Sequence, residues 1–217
     1  MSKEVTIMAF GPSRNTCQDP PIGEIWSLNA CWQVFGKEIM DKVTCIYDMH
    51  QLSKRDKEVY NGEPYLPALN EWGKKGKRIV LIAQDDRIAN SETYPLFDIE
   101  RRFGVRLWSQ TPTYMIARAI YEDFKHIRLI GVDNGDWKHS LGREAMAFFL
   151  GFAMARGIKV SGSLPIIERH HKRYGYDYGP EWDDYQNEML WGPFPFLMNM
   201  KGDWTPCPAG LGEPIIE

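Results

Sequence analysis

An α/β domain built on a mostly parallel sheet with helices on both faces is the fold class this sequence predicts. Three observations carry it. Strand-length apolar runs recur from Val5 to Val160, helical patterns alternate with them, and the alternation stops after about Leu164. Strand, helix, strand repetition specifies a sheet with right-handed crossovers.

The first run, Val5-Thr6-Ile7-Met8-Ala9-Phe10, is β-branched and nearly continuous in its apolar character. That pattern suits a strand buried on both faces rather than one alternating between core and water. Four runs repeat it: 24–29, 43–48, 78–83 and 127–133. The sharpest end on a polar residue, Asn29, Asp48 or Asp133, as happens where a parallel sheet presents functional side chains at its carboxyl edge. A short run, Ile158-Lys159-Val160, reads as an edge strand. Two helices are clear, one over 113–122 and one over 141–156, where Ala145, Phe148, Phe149, Phe152 and Ala153 recur at three- and four-residue spacing. Gly157 stops the second helix.

The chain therefore divides into a nucleotide-binding-type domain over 1–164 and a C-terminal extension over 165–217. The extension is rich in Tyr, Trp, Pro and Gly and lacks any sustained period, as a strap, a lid or an oligomer contact would. Its aromatic content makes a homodimer contact an expectation.

At 217 residues with 43% hydrophobic and 25% charged residues, the chain can bury a full core without a partner. A net charge of -3 argues against bulk electrostatic capture of nucleic acid, although a local basic groove survives that average. Cys17, Cys31, Cys45 and Cys207 have neither metal-site nor redox-motif spacing. They suggest a reducing compartment and no structural metal. No segment reaches the ~20 apolar residues of a membrane span, so a cytoplasmic protein without membrane contact is expected.

Three connections hold chemistry. Gly11-Pro12-Ser13-Arg14 follows the first strand, where backbone amides, a hydroxyl and a cation could cradle a phosphate; a plain turn reads equally well. Asp48-Met49-His50 places a carboxylate and an imidazole on one turn, a candidate acid/base pair, or a His that merely packs on its loop. The stretch from Gly131 to Ser140 is the most polar strand-to-helix connection. Its Asp133, Asp136 and His139 could orient a ribose, move a proton or, least readily, bind metal. In the extension, Arg173 and Tyr174 open a run that interleaves cations with rings, as single-stranded nucleic-acid and sugar sites do.

Taken in order, the "GPS" loop, "WSLN", "IYDMH", "PTYMIARAIYEDFKHIRLIGVD", "HSLGREAMAFFL" and "ARGIKV" resemble the Rossmann-like fold shared by small bacterial sialyltransferases and archaeal-type 6-hydroxymethylpterin diphosphokinase or flagellin-modification proteins. The resemblance covers residues 4 to 162 and extends to uncharacterised bacteriophage proteins with similar strands. By resemblance to the sialyltransferases, Gly11, Ser13 and Asn29 would bind a nucleotide-sugar donor; Pro12, Arg14 and Asn134 complete the expected nucleotide-binding set. His139, in a matching "HS" context, would be the general base that deprotonates an acceptor hydroxyl, with Asp133 or Asp48 orienting the donor. This chain departs from those enzymes by lacking their tyrosine pair after Gly-x-Asp. Asn134, Trp137 and Lys138 stand there instead, and Lys138 could stabilise the departing phosphate.

The resulting expectation is a glycosyltransferase that requires no cofactor, with His50, Trp137, Lys138, Arg173 and Tyr174 facing the acceptor or forming a lid. In a phage setting a hydroxymethylated DNA base is a fitting acceptor. Two alternatives stay open. The diphosphokinases imply an ATP enzyme holding Mg through Asp48, Asp133 and Asp136, and a non-catalytic protein could sequester a nucleotide signal on the same fold.

Overall fold

The computed structural model describes residues 3–15, 20–133 and 142–162, together with the backbone of two short strands at 196–198 and 204–206. The elements, in chain order, are β1 (Glu4–Met8), β2 (Glu24–Leu28), α1 (Lys37–Lys42), β3 (Cys45–Asp48), a hairpin of β4 (Val59–Tyr60) and β5 (Glu63–Pro64), α2 (Tyr65–Lys74), β6 (Arg78–Leu81), β7 (Ser91–Thr93), α3 (Leu96–Phe103), α4 (Thr111–Tyr121), β8 (His126–Ile130), α5 (Gly142–Ala155) and β9 (Lys159–Gly162). Two compact units divide the chain, Met1–Glu168 and Arg169–Glu217. In the second, β10 (Phe196–Met198) and β11 (Trp204–Pro206) form an antiparallel pair.

Seven strands make one parallel sheet in the order β7-β6-β3-β2-β1-β8-β9. This is the doubly wound, Rossmann-like arrangement. The chain steps outward from β1 through β2, β3 and β6 to β7, then crosses back to lay β8 on the other side of β1. The order reverses between β1 and β8, and a crevice at the carboxyl ends there is the usual ligand site of such sheets.

Burial on both faces follows from the strand sequences. Val5 and Ile7 of β1, Trp26 and Leu28 of β2, Cys45 and Tyr47 of β3, and Ile127 and Leu129 of β8 pack on one face against Met115, Ile116 and Ile120 of α4 and Phe149 and Leu150 of α5. Their alternate neighbours, Met8, Ile25, Ile46 and Ile130, pack on the other face with Met40 of α1 and Tyr65 and Leu69 of α2. Two polar residues interrupt these runs and are hydrogen-bonded. Thr6 Oγ1 donates to the Ile22 carbonyl at 2.9 Å and accepts from the Ile22 N–H at 2.7 Å, and Ser27 Oγ donates to the Met8 carbonyl at 2.9 Å.

Both expected long helices form. The first begins two residues earlier than its apolar period indicates, at Thr111 with Pro112 in its first turn, where a missing N–H costs nothing. The second ends where expected: the Ile158 N–H donates to the Ala153 carbonyl at 3.0 Å and Gly157 takes φ +73°. The short final run is β9, at the sheet's edge. Among the described residues, no helix is long and apolar enough to cross a membrane.

Candidate functional site

Four neighbouring strands, β8, β1, β2 and β3, bring Asp133, Gly11 to Arg14, Asn29 and Asp48 to one sheet edge. At about 4.8 Å between strands, that row spans about 14 Å.

Its centre is the switch point. The Gly11 N–H donates to the Gly131 carbonyl and the Ala9 N–H to the Ile130 carbonyl, both at 2.8 Å, which continues the β1–β8 ladder beyond the strands. The chain then turns sharply at both sites. Gly131 has φ +69°, and a Cβ there would lie 2.3 Å from the Ala9 carbonyl oxygen. A Cβ on Gly11 would lie 2.5 Å from Asp133 Oδ2 and 2.7 Å from the Gly131 carbonyl oxygen. Only glycine allows this approach.

The approach lets Asp133, 8% exposed, close onto the turn. Its Oδ2 accepts the Ser13 N–H at 2.7 Å and its Oδ1 accepts the Ser13 hydroxyl, while the Gly131 N–H donates back to Ser13 Oγ at 3.1 Å. The Arg14 guanidinium folds onto the carbonyls of Phe10 and Gly11, and the Arg14 N–H also donates to Gly11. Pro12 has no N–H. The backbone donors of Gly11, Ser13 and Arg14 and the Ser13 hydroxyl are therefore engaged within the protein, as is Nη1 of Arg14. What the turn offers outward is the acceptor capacity of Asp133, whose oxygens each keep a lone pair.

Asn29 adds a second acceptor. It sits in the left-handed region, φ 46°, just past β2, with its N–H donating to the Tyr47 carbonyl at 2.8 Å. Its Oδ1 is buried and has no hydrogen-bond partner among the described residues. A buried carbonyl oxygen without a donor costs free energy, and a ligand amine or hydroxyl would remove that cost.

Asp48, fully buried, anchors the third part. Its Oδ2 accepts the Tyr65 hydroxyl at 2.6 Å and lies 3.4 Å from Arg55 Nε; its Oδ1 accepts the His50 N–H at 3.0 Å and lies 2.7 Å from His50 Nδ1. Burial first, and the Asp48 charge second, push the Tyr65 phenol far above its ordinary value, so Tyr65 remains a donor. An Arg55 amino group also lies 2.8 Å from Nδ1. Guanidinium only donates, and an Nδ1 that donates to a carboxylate has no lone pair left, so the two contacts exclude each other. Nδ1 lies 2.7 Å from a carboxylate oxygen that can only accept, so the proton is assigned to Nδ1 and Nε2 carries the lone pair. The His50 side chain is 52% exposed, and an imidazole held in this tautomer can take up or deliver a proton.

Arg55 and Tyr65 were not singled out in the sequence. Arg55 lies in a polar stretch and Tyr65 begins a helix; neither carries a local signal, and it is the short helical turn at Leu52–Lys54 that brings Arg55 to Asp48 and the path through the β4–β5 hairpin that brings Tyr65 there. His126, the first residue of β8, is 7% exposed, with Nε2 2.7 Å from Ser161 Oγ on β9. Asn134, Asp136, Trp137, Lys138, His139, Arg173 and Tyr174 lie outside the described residues. Among the described residues no three His, Cys, Asp or Glu side chains gather as a metal site.

No protein-family profile matches this sequence, and no curated protein matches it. Solved structures do. The chain is similar to the sialyltransferase CstII from Campylobacter jejuni in complex with cytidine-5'-monophosphate, at 17% identity and a TM-score of 0.45, covering 73% of this chain and 78% of that one. It is similar to a point mutant of the alpha-2,3/8-sialyltransferase CstII at 16% identity and a TM-score of 0.49, covering 73% and 80%. A CstII complex with trisaccharide acceptor and CMP matches at 17% identity and a TM-score of 0.47, covering 73% and 79%.

Proposed function

We propose that this protein binds a nucleotide sugar along the carboxyl edge of its sheet and transfers the sugar to an acceptor hydroxyl. The carrying observation is the buried, unpartnered Oδ1 of Asn29, one strand from the switch point. Together with Asp133, about 10 Å away across β1, it makes an edge of hydrogen-bond acceptors. A nucleoside is complementary to such an edge: its exocyclic base amine suits Asn29, and its ribose hydroxyls suit the spare lone pairs of Asp133. In this reading Gly11, Pro12 and Ser13 hold Asp133 in place, and Asn134 and Lys138 serve the nucleotide's phosphates. His139 takes the acceptor proton, and His50, oriented by Asp48, flanks the acceptor.

Thermal unfolding with a panel of nucleotides and nucleotide sugars, with and without magnesium, tests this. A ligand at ~100 times its Kd adds about 2.7 kcal/mol, which is several degrees at roughly 2–4 °C per kcal/mol in a chain of this size. A shift with one nucleotide sugar and with its nucleotide alone, independent of magnesium and about halved in Asn29→Gly, is expected. No shift across the panel, or one requiring ATP and magnesium, overturns it. Given binding, His139→Ala should abolish transfer and leave the shift intact.

A further inference from the structure

Strand β8 opens with His126 and carries Arg128 two residues on. In register, Glu4 of β1 lies beside His126, and Ser161 of β9 lies beside Arg128. Residues two apart on a strand share a face, and so do neighbours in register. Glu4, His126, Arg128 and Ser161 therefore project from one face of the sheet, the face that buries Met8 and Ile130 farther along the same strands. Polar groups taken out of water are unfavourable unless paired. Here they are paired, and the pairing has a direction.

Arg128 Nε donates to Ser161 Oγ at 3.3 Å, and a guanidinium can only donate. The Ser161 hydroxyl therefore accepts from Arg128, and its own hydrogen is left for His126 Nε2 at 2.7 Å. Nε2 then holds the lone pair and Nδ1 the proton. Nδ1 faces Glu4 Oε1 at 3.5 Å, a separation usual for such a pair before substrate binds. One direction runs through all four groups: guanidinium to hydroxyl, hydroxyl to imidazole, imidazole to carboxylate. Burial first, then Lys159, hold the imidazole below its ordinary value against the pull of Glu4. It is thus uncharged near neutrality, with its lone pair available to a base's task. Arg128 also donates to the Pro20 carbonyl, which anchors the cation beside the hydroxyl.

We propose that Ser161, His126 and Glu4 form a nucleophilic triad that takes the acyl group from a carboxylic ester. A nucleophile, a base within hydrogen-bond reach and a carboxylate behind the base are recognised by geometry and role, not by their order in the chain. Ser161 Oγ bonds to the ester's carbonyl carbon as its proton passes to His126 Nε2, and Arg128 offsets the charge that develops on the carbonyl oxygen. The carbon–oxygen bond to the alcohol then breaks, and the alcohol leaves with the proton from Nε2. Water, deprotonated by the same nitrogen, attacks the acyl group on Ser161 and releases the acid. Glu4 is a positioning residue that steadies the imidazolium. Ser161 is partly exposed, so a reagent can reach it. The triad is separate from the nucleotide edge: His126 lies about 13 Å along β8 from Ile130, and Asp133 lies beyond Ile130.

Labelling of the full chain with an alkyl fluorophosphonate tests this without a known ester, because Ser161 Oγ displaces fluoride and keeps the phosphorus. Peptide mapping by mass spectrometry should place the adduct on Ser161. Ser161→Ala should lose it, and His126→Gln should slow its formation about 10²–10⁴-fold. Glu4→Gln should slow it too and move the acid limb of its pH profile to lower pH, because Glu4 favours the imidazolium while Lys159 and Arg128 oppose it. A merely structural Glu4 would leave that limb in place. Ser161→Ala removes one oxygen and keeps the test decisive if His126→Gln disturbs folding. No adduct, an adduct on another residue alone, or labelling of Ser161 that a folded His126→Gln leaves unchanged overturns the proposal. An unmoved limb in Glu4→Gln overturns the part given to Glu4.

Discussion

Asp133 Oδ2 accepts the backbone N–H of Ser13 at 2.7 Å while Oδ1 takes the hydroxyl of the same residue, so one carboxylate ties the loop after β8 to the turn after β1. Both loops flank the point where the strand order reverses. Asp133→Asn presents an amide N–H₂ where an acceptor is needed and should destabilise the protein by about 1–3 kcal/mol. A lower urea midpoint at unchanged m is the expected reading.

Gly11→Ala tests the same closure sterically. The added carbon would stand 2.5 Å from Asp133 Oδ2 and 2.7 Å from the Gly131 carbonyl oxygen, and the carbonyl is backbone held in a ladder. A loss of about 2 kcal/mol or more, at the upper end of ordinary point mutants, is expected in the same titration.

Asn29 separates backbone from side-chain function. Its φ of 46° suits glycine, so Asn29→Gly should fold with a stability change under about 1 kcal/mol. Asn29→Ala carries added backbone strain. If Oδ1 receives a donor from the nucleotide, both variants should raise the nucleotide Kd about tenfold, the equivalent of 1.4 kcal/mol. Calorimetric titration measures this directly, and equal affinity in Asn29→Gly would remove Asn29 from the site.

The Asp48 cluster should respond unequally to its two simplest cuts. Tyr65→Phe removes one donor and should cost about 1–2 kcal/mol. Asp48→Ala leaves Arg55, 5% exposed, without its main counter-charge, and should cost about 3–5 kcal/mol. Chemical denaturation of Asp48→Leu combined with Arg55→Met should recover much of that loss, since no buried charge then remains.

His126 predicts a pH dependence. Burial first, then Lys159, hold its imidazole below the ordinary 6.5, against an opposing contribution from Glu4. The unfolded chain therefore binds the proton more readily than the folded one. Stability should be complete above pH 6.5 and fall as the pH drops from there through the folded value. His126→Gln should flatten the melting temperature over that window.

Buried thiols should be unreactive. Burial pushes both Cys31 and Cys45 up to about 12, so little thiolate exists near neutrality. In native protein, peptide mapping after alkylation should find these two unmodified, and after unfolding should find both labelled.

The parts of the fold that were legible in the sequence are those with a local physical signature. Non-alternating runs such as Val5 to Phe10 mark strands covered on both faces, and the spacing of Ala145, Phe149 and Ala153 marks a helix against them. The short helices α1 and α3 and the three-residue strand β7 lacked a long enough period to stand out. At the site, Gly11, Ser13, Asn29, Asp48 and Asp133 could be nominated because each ends an apolar run or lies in the turn that follows one.

What the sequence determined by itself was the list of strand ends, because an apolar run that stops on a polar residue is a property of neighbouring residues. Which ends meet was decided by tertiary structure alone. Strand order brings Ser13 to Asp133 across 120 residues and turns the backbone N–H and hydroxyl of Ser13 inward onto a carboxylate. The connection from β3 to α2 likewise folds back to carry Arg55 and Tyr65 to Asp48. Hydrogen-bond partners between distant segments depend on which strands lie side by side, and that is settled when the chain packs both faces of the sheet at once, a constraint no single stretch of sequence contains.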